Sequence, residues 1–149
     1  MTKMKRINLN VLMVEDSSAD VLMVKEALQD VKIQNTLHVV GDGIDAIEFL
    51  KKKGKFHSST TPDLILLDLN LPKKNGNEVL IEIKNDENLK CIPVVIFTTS
   101  SSSDDMRRSY KSYANSYVIK PVDFNSYQET IHTIFHYWYN VVSIAPLSV

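Results

Sequence analysis

Residues 63–72 read Asp63-Leu64-Ile65-Leu66-Leu67-Asp68-Leu69-Asn70-Leu71-Pro72. A continuous apolar run of this kind suits a strand buried on both faces of a parallel sheet. The acid that ends it, Asp68, then falls at the carboxyl edge, where open α/β sheets keep their ligand sites. The run Val11-Leu12-Met13-Val14 ends in the same manner, in Glu15 and Asp16. Two strands that finish in acids at one edge make an oxygen-rich pocket suited to a hard divalent cation.

Outward from these two strands, strand and helix signals alternate five times. Strands are expected over 10–14, 36–40, 63–68, 94–98 and 116–119. Ser17 or Ser18 suits the N-cap of the first helix, and Gly41-Asp42-Gly43 turns the chain into the second. Residues 51–61 are polar and loop-like. Asn75-Gly76 is a turn signal before a third helix beginning with Val79. A polar loop over 100–105 leads to a short helix over 106–113, and the last helix starts near Asp123. The pattern implies an α/β protein, a doubly wound five-stranded parallel sheet with helices on both faces.

The chain has 149 residues, which fits one domain over 1–149 with its core at about 10–139 and a short C-terminal tail at 140–149. A formal net charge of −1 gives no reason to expect a nucleic-acid partner. Cys91 is the single cysteine, so no intrachain disulfide can form and the thiol is expected to be buried or idle in a reducing compartment. The segment 1–6 is basic, but Glu15 and Asp16 interrupt the apolar stretch after it, against a signal peptide. No apolar run approaches the roughly 20 residues of a membrane span. The expected location is cytoplasmic, with no membrane partner.

On the expected fold, Thr98 and Lys120 end the fourth and fifth strands at the edge that carries Glu15, Asp16 and Asp68. Three carboxylates so close repel one another, and a divalent cation relieves the repulsion. Mg²⁺ suits a site of few carboxylates, waters and phosphate oxygens. Asp68 is then a candidate nucleophile towards phosphorus, forming an aspartyl phosphate. A lysine ammonium at Lys120 and a hydroxyl at Thr98 would meet the phosphoryl oxygens. Each element alone is common; their order at the ends of strands one, three, four and five is specific.

These residues make the chain resemble the receiver domain of two-component response regulators, over about 10–138. The carriers are Val14-Glu15-Asp16-Ser17, Leu66-Leu67-Asp68-Leu69-Asn70-Leu71-Pro72, Asn75-Gly76, Phe97-Thr98-Thr99-Ser100 and Tyr117-Val118-Ile119-Lys120-Pro121. The resemblance implies the flavodoxin-like receiver fold and phosphorylation of Asp68 by a sensor histidine kinase. It implies Mg²⁺ bound directly by Asp16, through water by Glu15, and by the backbone carbonyl of Asn70. Lys120 would pair with the phosphoryl oxygens, Thr98 would move to hydrogen-bond them, and Tyr117 would swing inward as the coupled aromatic switch. Without the resemblance, Tyr117 reads as an ordinary half-buried strand aromatic.

Glu15 stands where Asp is more frequent in that family, and Thr99 where a small residue is usual, which tightens the phosphoryl entrance. Ser100, two residues after Thr98, is a position at which the family tunes autodephosphorylation. With the Trp138-bearing last helix, these features look like the single-domain receivers paired with phytochrome-like sensor kinases. The chain leaves no room for a DNA-binding or enzymatic output domain. The expectation is a signalling receiver, not a turnover enzyme, that binds another protein or relays its phosphoryl group to a phosphotransfer protein.

Other features have plainer readings. His132 and His136 lie four apart but lack a third ligand at matching spacing, so they read as solvated helix histidines. Lys51-Lys52-Lys53 with Lys55 reads as a solvated helix end. Six of the twelve aromatic residues lie within 124–139, and Tyr137, Trp138 and Tyr139 are consecutive, so they cannot all face inward. Phe135, Trp138 and Tyr139 are therefore candidates for a homodimer interface.

Three other functions were open. A haloacid-dehalogenase-type phosphatase also uses a strand-ending Asp with Mg²⁺, but wants a second acid two residues on, where Asn70 stands. A flavodoxin-like cofactor binder would want a Ser/Thr/Gly-rich phosphate loop where Glu15-Asp16 stands. A pseudo-receiver that only binds partners would not need the intact set of acids, Thr98 and Lys120.

Overall fold

Strand runs that are apolar on both faces must be covered on both, and the computed structural model, which describes residues 8–146, shows them covered. Strands β1 (Leu9–Val14), β2 (Asn35–Val40), β3 (Leu64–Leu67), β4 (Val94–Thr98) and β5 (Ser116–Ile119) form one parallel sheet in the order β2-β1-β3-β4-β5. Helices α1 (Ser18–Gln29), α2 (Gly43–Leu50), α3 (Gly76–Asn85), α4 (Ser103–Lys111) and α5 (Phe124–His136) connect and follow them. This is the doubly wound five-stranded sheet expected from the sequence. The basic segment 1–6 and the end of the tail, 147–149, lie outside the described residues.

Because strand side chains alternate faces, each apolar run splits into two sets. Leu12, Val14, Ile65, Leu67, Val94 and Ile96 pack with Ala46, Ile47, Phe49 and Leu50 of α2 and with Val79, Leu80 and Ile83 of α3. Val11, Met13, Leu64, Leu66, Val95 and Phe97 pack on the other face with Val24 and Ala27 of α1 and with Tyr127, Ile131, Ile134 and Phe135 of α5. Helices α1 to α5 each begin with a side-chain N-cap in the loop after a strand: Ser17, Asp42, Asn75, Ser102 and Asp123 each accept from a backbone N–H. The positive ends of the helix dipoles therefore gather at the carboxyl edge.

Some boundaries differ from the sequence reading. Helix α3 begins at Gly76 because Asn75 caps it, accepting from the Glu78 N–H at 3.0 Å and donating to the Glu78 side chain at 2.8 Å. Helix α4 begins three residues early, because Ser102 caps it. A short 3₁₀ turn, Gly54–Phe56, lies in the segment read as loop.

The C-terminal aromatics require a larger correction. Phe135 is fully buried in the α1–α5 face of the core, so it has no surface to offer a partner. Helix α5 continues as a π-helical segment, Tyr137–Val141, closed by the Val142 N–H on the Tyr137 carbonyl at 2.9 Å. Trp138 and Tyr139 lie partly on the same core face, where Ile144 of the tail also packs, and Tyr137 is half-exposed. His132 is not simply solvated: its Nε2 meets the Ala27 carbonyl at 2.8 Å and ties α5 to α1. His136 is exposed and accepts from the Asn140 amide at 2.9 Å. Cys91 is exposed, not buried. Among the described residues, no helix is long and apolar enough to cross a membrane.

Candidate functional site

The strand register brings the site together. Val14 lies opposite Leu67, Leu67 opposite Ile96, and Thr98 opposite Ile119, so the residues that follow leave the sheet at one level. The ladder runs one rung further: Glu15 N–H donates to Val40 at 3.0 Å, Asp68 to Val14 at 3.1 Å and Lys120 to Thr98 at 2.7 Å. Glu15, Asp68, Thr98 and Lys120 are buried, whereas Asp16 and Asn70 are exposed. One oxygen from each of Glu15, Asp16 and Asp68 lies within 4.8 Å of the others, a spacing that fits a divalent cation.

Lys120 is the organising cation. Its Nζ lies 2.6 Å from Glu15 Oε1, 3.2 Å from Asp68 Oδ2 and 3.4 Å from Asp20 Oδ2. Burial by itself would lower the Lys120 pKa, but the Glu15 hydrogen bond and the charges of Asp68, Glu15 and Asp20 hold it above the ordinary lysine value. Negative charge still exceeds positive, and the excess is felt at Glu15. Burial, with the charge of Asp68 adding, pushes Glu15 up to about 7 against the pull of Lys120. A surplus of buried carboxylate charge beside an open, exposed acid is the environment in which a divalent cation is favourable.

The loop after Asp68 is held by contact at its backbone. A Cβ on Gly76 would lie 2.1 Å from the Asp68 carbonyl oxygen, and one on Gly43 would lie 1.9 Å from the Lys74 carbonyl oxygen. Only glycine lets α2 and α3 approach so closely. Asp68 Oδ1 accepts from the Asn70 N–H at 3.2 Å, and Gly76 N–H closes the loop on Leu69 at 3.0 Å.

The loop after Thr98 is held differently, by hydroxyl groups. The Ser100 N–H donates to Thr98 Oγ1 at 3.4 Å, and the Ser100 hydroxyl donates to Asp105 Oδ2 at 2.6 Å. Tyr117, half-buried, donates its hydroxyl to the Ser100 carbonyl at 2.9 Å, so it is already bonded to this loop. Thr99 is exposed at the entrance.

Sequence reasoning missed two participants. Asp20, one turn into α1 from Asp16, reaches Lys120, and Tyr127 of α5 donates to Asp20 Oδ1 at 2.7 Å. Burial would raise Asp20, but the Tyr127 hydroxyl and Lys120 hold it below the usual carboxylate range. Asp20, three residues after the Ser17 N-cap and so close to the acidic edge, is visible in the sequence. Tyr127, 107 residues away in the chain, is not.

The response regulator receiver domain family matches residues 11–132. Response regulator Rcp1 of Synechocystis sp. is 42% identical over 134 residues, covering 90% of this chain and 91% of that protein. The crystal structure of its Mn²⁺-bound form superposes with a TM-score of 0.89 at 41% identity, covering 93% of this chain and 99% of that one. The phosphorylated cyanobacterial phytochrome response regulator RcpA superposes with a TM-score of 0.90 at 37% identity, over the same shares.

Proposed function

This chain belongs to the response regulator receiver family, a family of two-component signalling proteins in which an aspartate is phosphorylated, and we propose that Asp68 is the phosphoacceptor here. The supporting observation is the buried Lys120 ammonium, 3.2 Å from Asp68 Oδ2 and beside the three-acid cluster. A carboxylate oxygen of Asp68 would form a bond to phosphorus as the bond between phosphorus and the donor breaks, with the donor leaving on its own electron pair. The donor would be the phosphohistidine of a sensor kinase or an acyl phosphate. Lys120 then turns an N–H to a phosphoryl oxygen, and the Thr98 hydroxyl, which accepts from the Ser100 N–H, would donate its own proton to another. Hydrolysis by water returns the Asp68 carboxylate and inorganic phosphate.

Glu15, Asp16, Asp68 and the Asn70 carbonyl would hold Mg²⁺, which when bound supplies positive charge against the carboxylates and the phosphoryl oxygens. Both Glu15 oxygens are already engaged, one by Lys120 and one by the Ser17 N–H at 3.2 Å, which favours a water between Glu15 and the metal.

The kinase partner would be phytochrome-like, supported by the likeness to RcpA, and the setting cytoplasmic, without nucleic acid. The near-complete coverage of similar regulators supports a single-domain unit over 1–149. Homodimerisation would use the exposed part of Tyr137, Trp138 and Tyr139, and sedimentation at micromolar concentration with and without beryllofluoride tests it.

Incubation with acetyl phosphate and Mg²⁺, followed by intact mass, tests the reading. Wild type should gain one phosphoryl group only with Mg²⁺, and Asp68→Ala none. Equal labelling of both proteins would overturn it.

A further inference from the structure

We propose that Asp20 is a positioning residue for Lys120, held in turn by Tyr127, so that the aim of the ammonium at Asp68 depends on the packing of α5 against α1. The inference rests on the reading of Asp68 as phosphoacceptor. A lysine ammonium has three N–H donors; Nζ donates to Glu15, just after β1, and to Asp68, just after β3, and it forms an ion pair with Asp20 of α1 at 3.4 Å. The Asp68 contact is the one that phosphorylation changes, because the N–H there passes to a phosphoryl oxygen. The other two contacts remain and fix where that N–H points.

Asp20 is suited to this work and not to metal binding. It lies outside the cluster of Glu15, Asp16 and Asp68. Its two oxygens are divided, Oδ2 facing Lys120 at 3.4 Å and Oδ1 accepting from Tyr127 at 2.7 Å. Tyr127 is 2% exposed, and its ring meets the edge of Phe97 at 5.4 Å, interplanar angle 71°. The Lys120 ammonium lies 5.8 Å from the centre of the same Phe97 ring. Phe97 of β4 and Asp20 of α1 thus flank Nζ, and Tyr127 of α5 packs against both of them. The Tyr127 hydroxyl is driven above its ordinary pKa by burial, with Asp20 adding, so it stays a donor to Asp20 at neutral pH. Without Asp20, Lys120 keeps Glu15 and Asp68 but loses the third point that fixes its direction, and a misdirected charge lowers rate more than affinity.

The experiment measures Asp68 labelling by acetyl phosphate with Mg²⁺, over a range of acetyl phosphate concentrations. Here the Asp68 oxygen–phosphorus bond forms as acetate leaves. Asp20→Ala should lower the saturated rate by about tenfold, the effect of one weakened charge-assisted hydrogen bond, with the half-saturating concentration little changed. Tyr127→Phe should act in the same direction by about threefold, and the double variant should be no slower than Asp20→Ala. Asp20→Asn, which still accepts from Tyr127, should fall between wild type and Asp20→Ala. In a Lys120→Met background, Asp20→Ala should change nothing further. The second readout needs no metal: in urea unfolding with EDTA, Asp20→Ala and Lys120→Met should be non-additive. Labelling of Asp20→Ala at the wild-type rate, multiplying effects of Asp20→Ala and Tyr127→Phe, or an undiminished Asp20→Ala effect without Lys120 would each overturn the proposal. Wild type that takes no phosphoryl group would instead strike the phosphoacceptor reading, and additive unfolding in EDTA would by itself overturn the coupling of Asp20 to Lys120.

Discussion

The loops after β3 and β4 stand side by side at one sheet edge and are secured by opposite means. The first is fixed by volume: two glycines let α2 and α3 press on its backbone, and Asp68 beneath it is buried. The second is fixed by a few hydroxyl bonds among Thr98, Ser100, Asp105 and Tyr117. Packed contacts resist displacement because interiors are close-packed. Single hydrogen bonds exchange partners at a net difference of about 1 kcal/mol. Asp68 is therefore held by packing, while the loop after Thr98 is free to exchange its hydrogen bonds.

The hardest test is Gly76→Val, which sets a side chain where 2.1 Å separates a Cβ from the Asp68 carbonyl oxygen. A loss of more than about 3 kcal/mol in urea unfolding, with loss of phosphoryl acceptance, is expected. Next is Lys120→Met, which leaves Glu15, Asp68 and Asp20 without their shared cation. Removing one partner of a buried ionic cluster should cost about 3 kcal/mol in EDTA. Mg²⁺ should recover part of it, about 1.4 kcal/mol for each tenfold of concentration above Kd.

The third outcome is a pH dependence. Glu15 sits at about 7 in the folded chain, above its ordinary 4.5, so the folded state binds the proton more tightly than the unfolded one. Its contribution is fully present below about pH 4.5 and is lost as pH rises through about 7, on the order of 3 kcal/mol. Unfolding in EDTA across that window should show the loss in wild type and not in Glu15→Gln. The smallest effects belong to the second loop. Tyr117→Phe and Asp105→Ala should each cost under about 1 kcal/mol, because the freed groups can meet water. If either unfolds the protein as Gly76→Val does, the contrast between the loops is wrong.

The sheet was legible because its strands advertise burial on both faces without reference to anything distant, and the acids that end them inherit a defined edge. Glu15, Asp68 and Lys120 meet where the register demands, and Thr98 ends β4 at the same edge. What escaped was whatever depends on contacts between remote helices. Nothing near Asp20 in the chain announces Tyr127, and the burial of Phe135 depends on its match with α1 and the sheet. The aromatic run is hard to place from sequence because Tyr137–Val141 is π-helical, with Trp138 and Tyr139 packed partly on the core.

The exposed Cys91 gives the molecule a single chemical handle of its own. It precedes β4 at the amino edge, with the whole strand between it and Thr98, a separation of roughly 20 Å at the rise of an extended chain. A maleimide dye or a surface tether placed there would orient every molecule alike, with the acidic edge pointing away from the support. Immobilised in that way, the protein would present Asp68 and its neighbours to a soluble partner without any engineered residue.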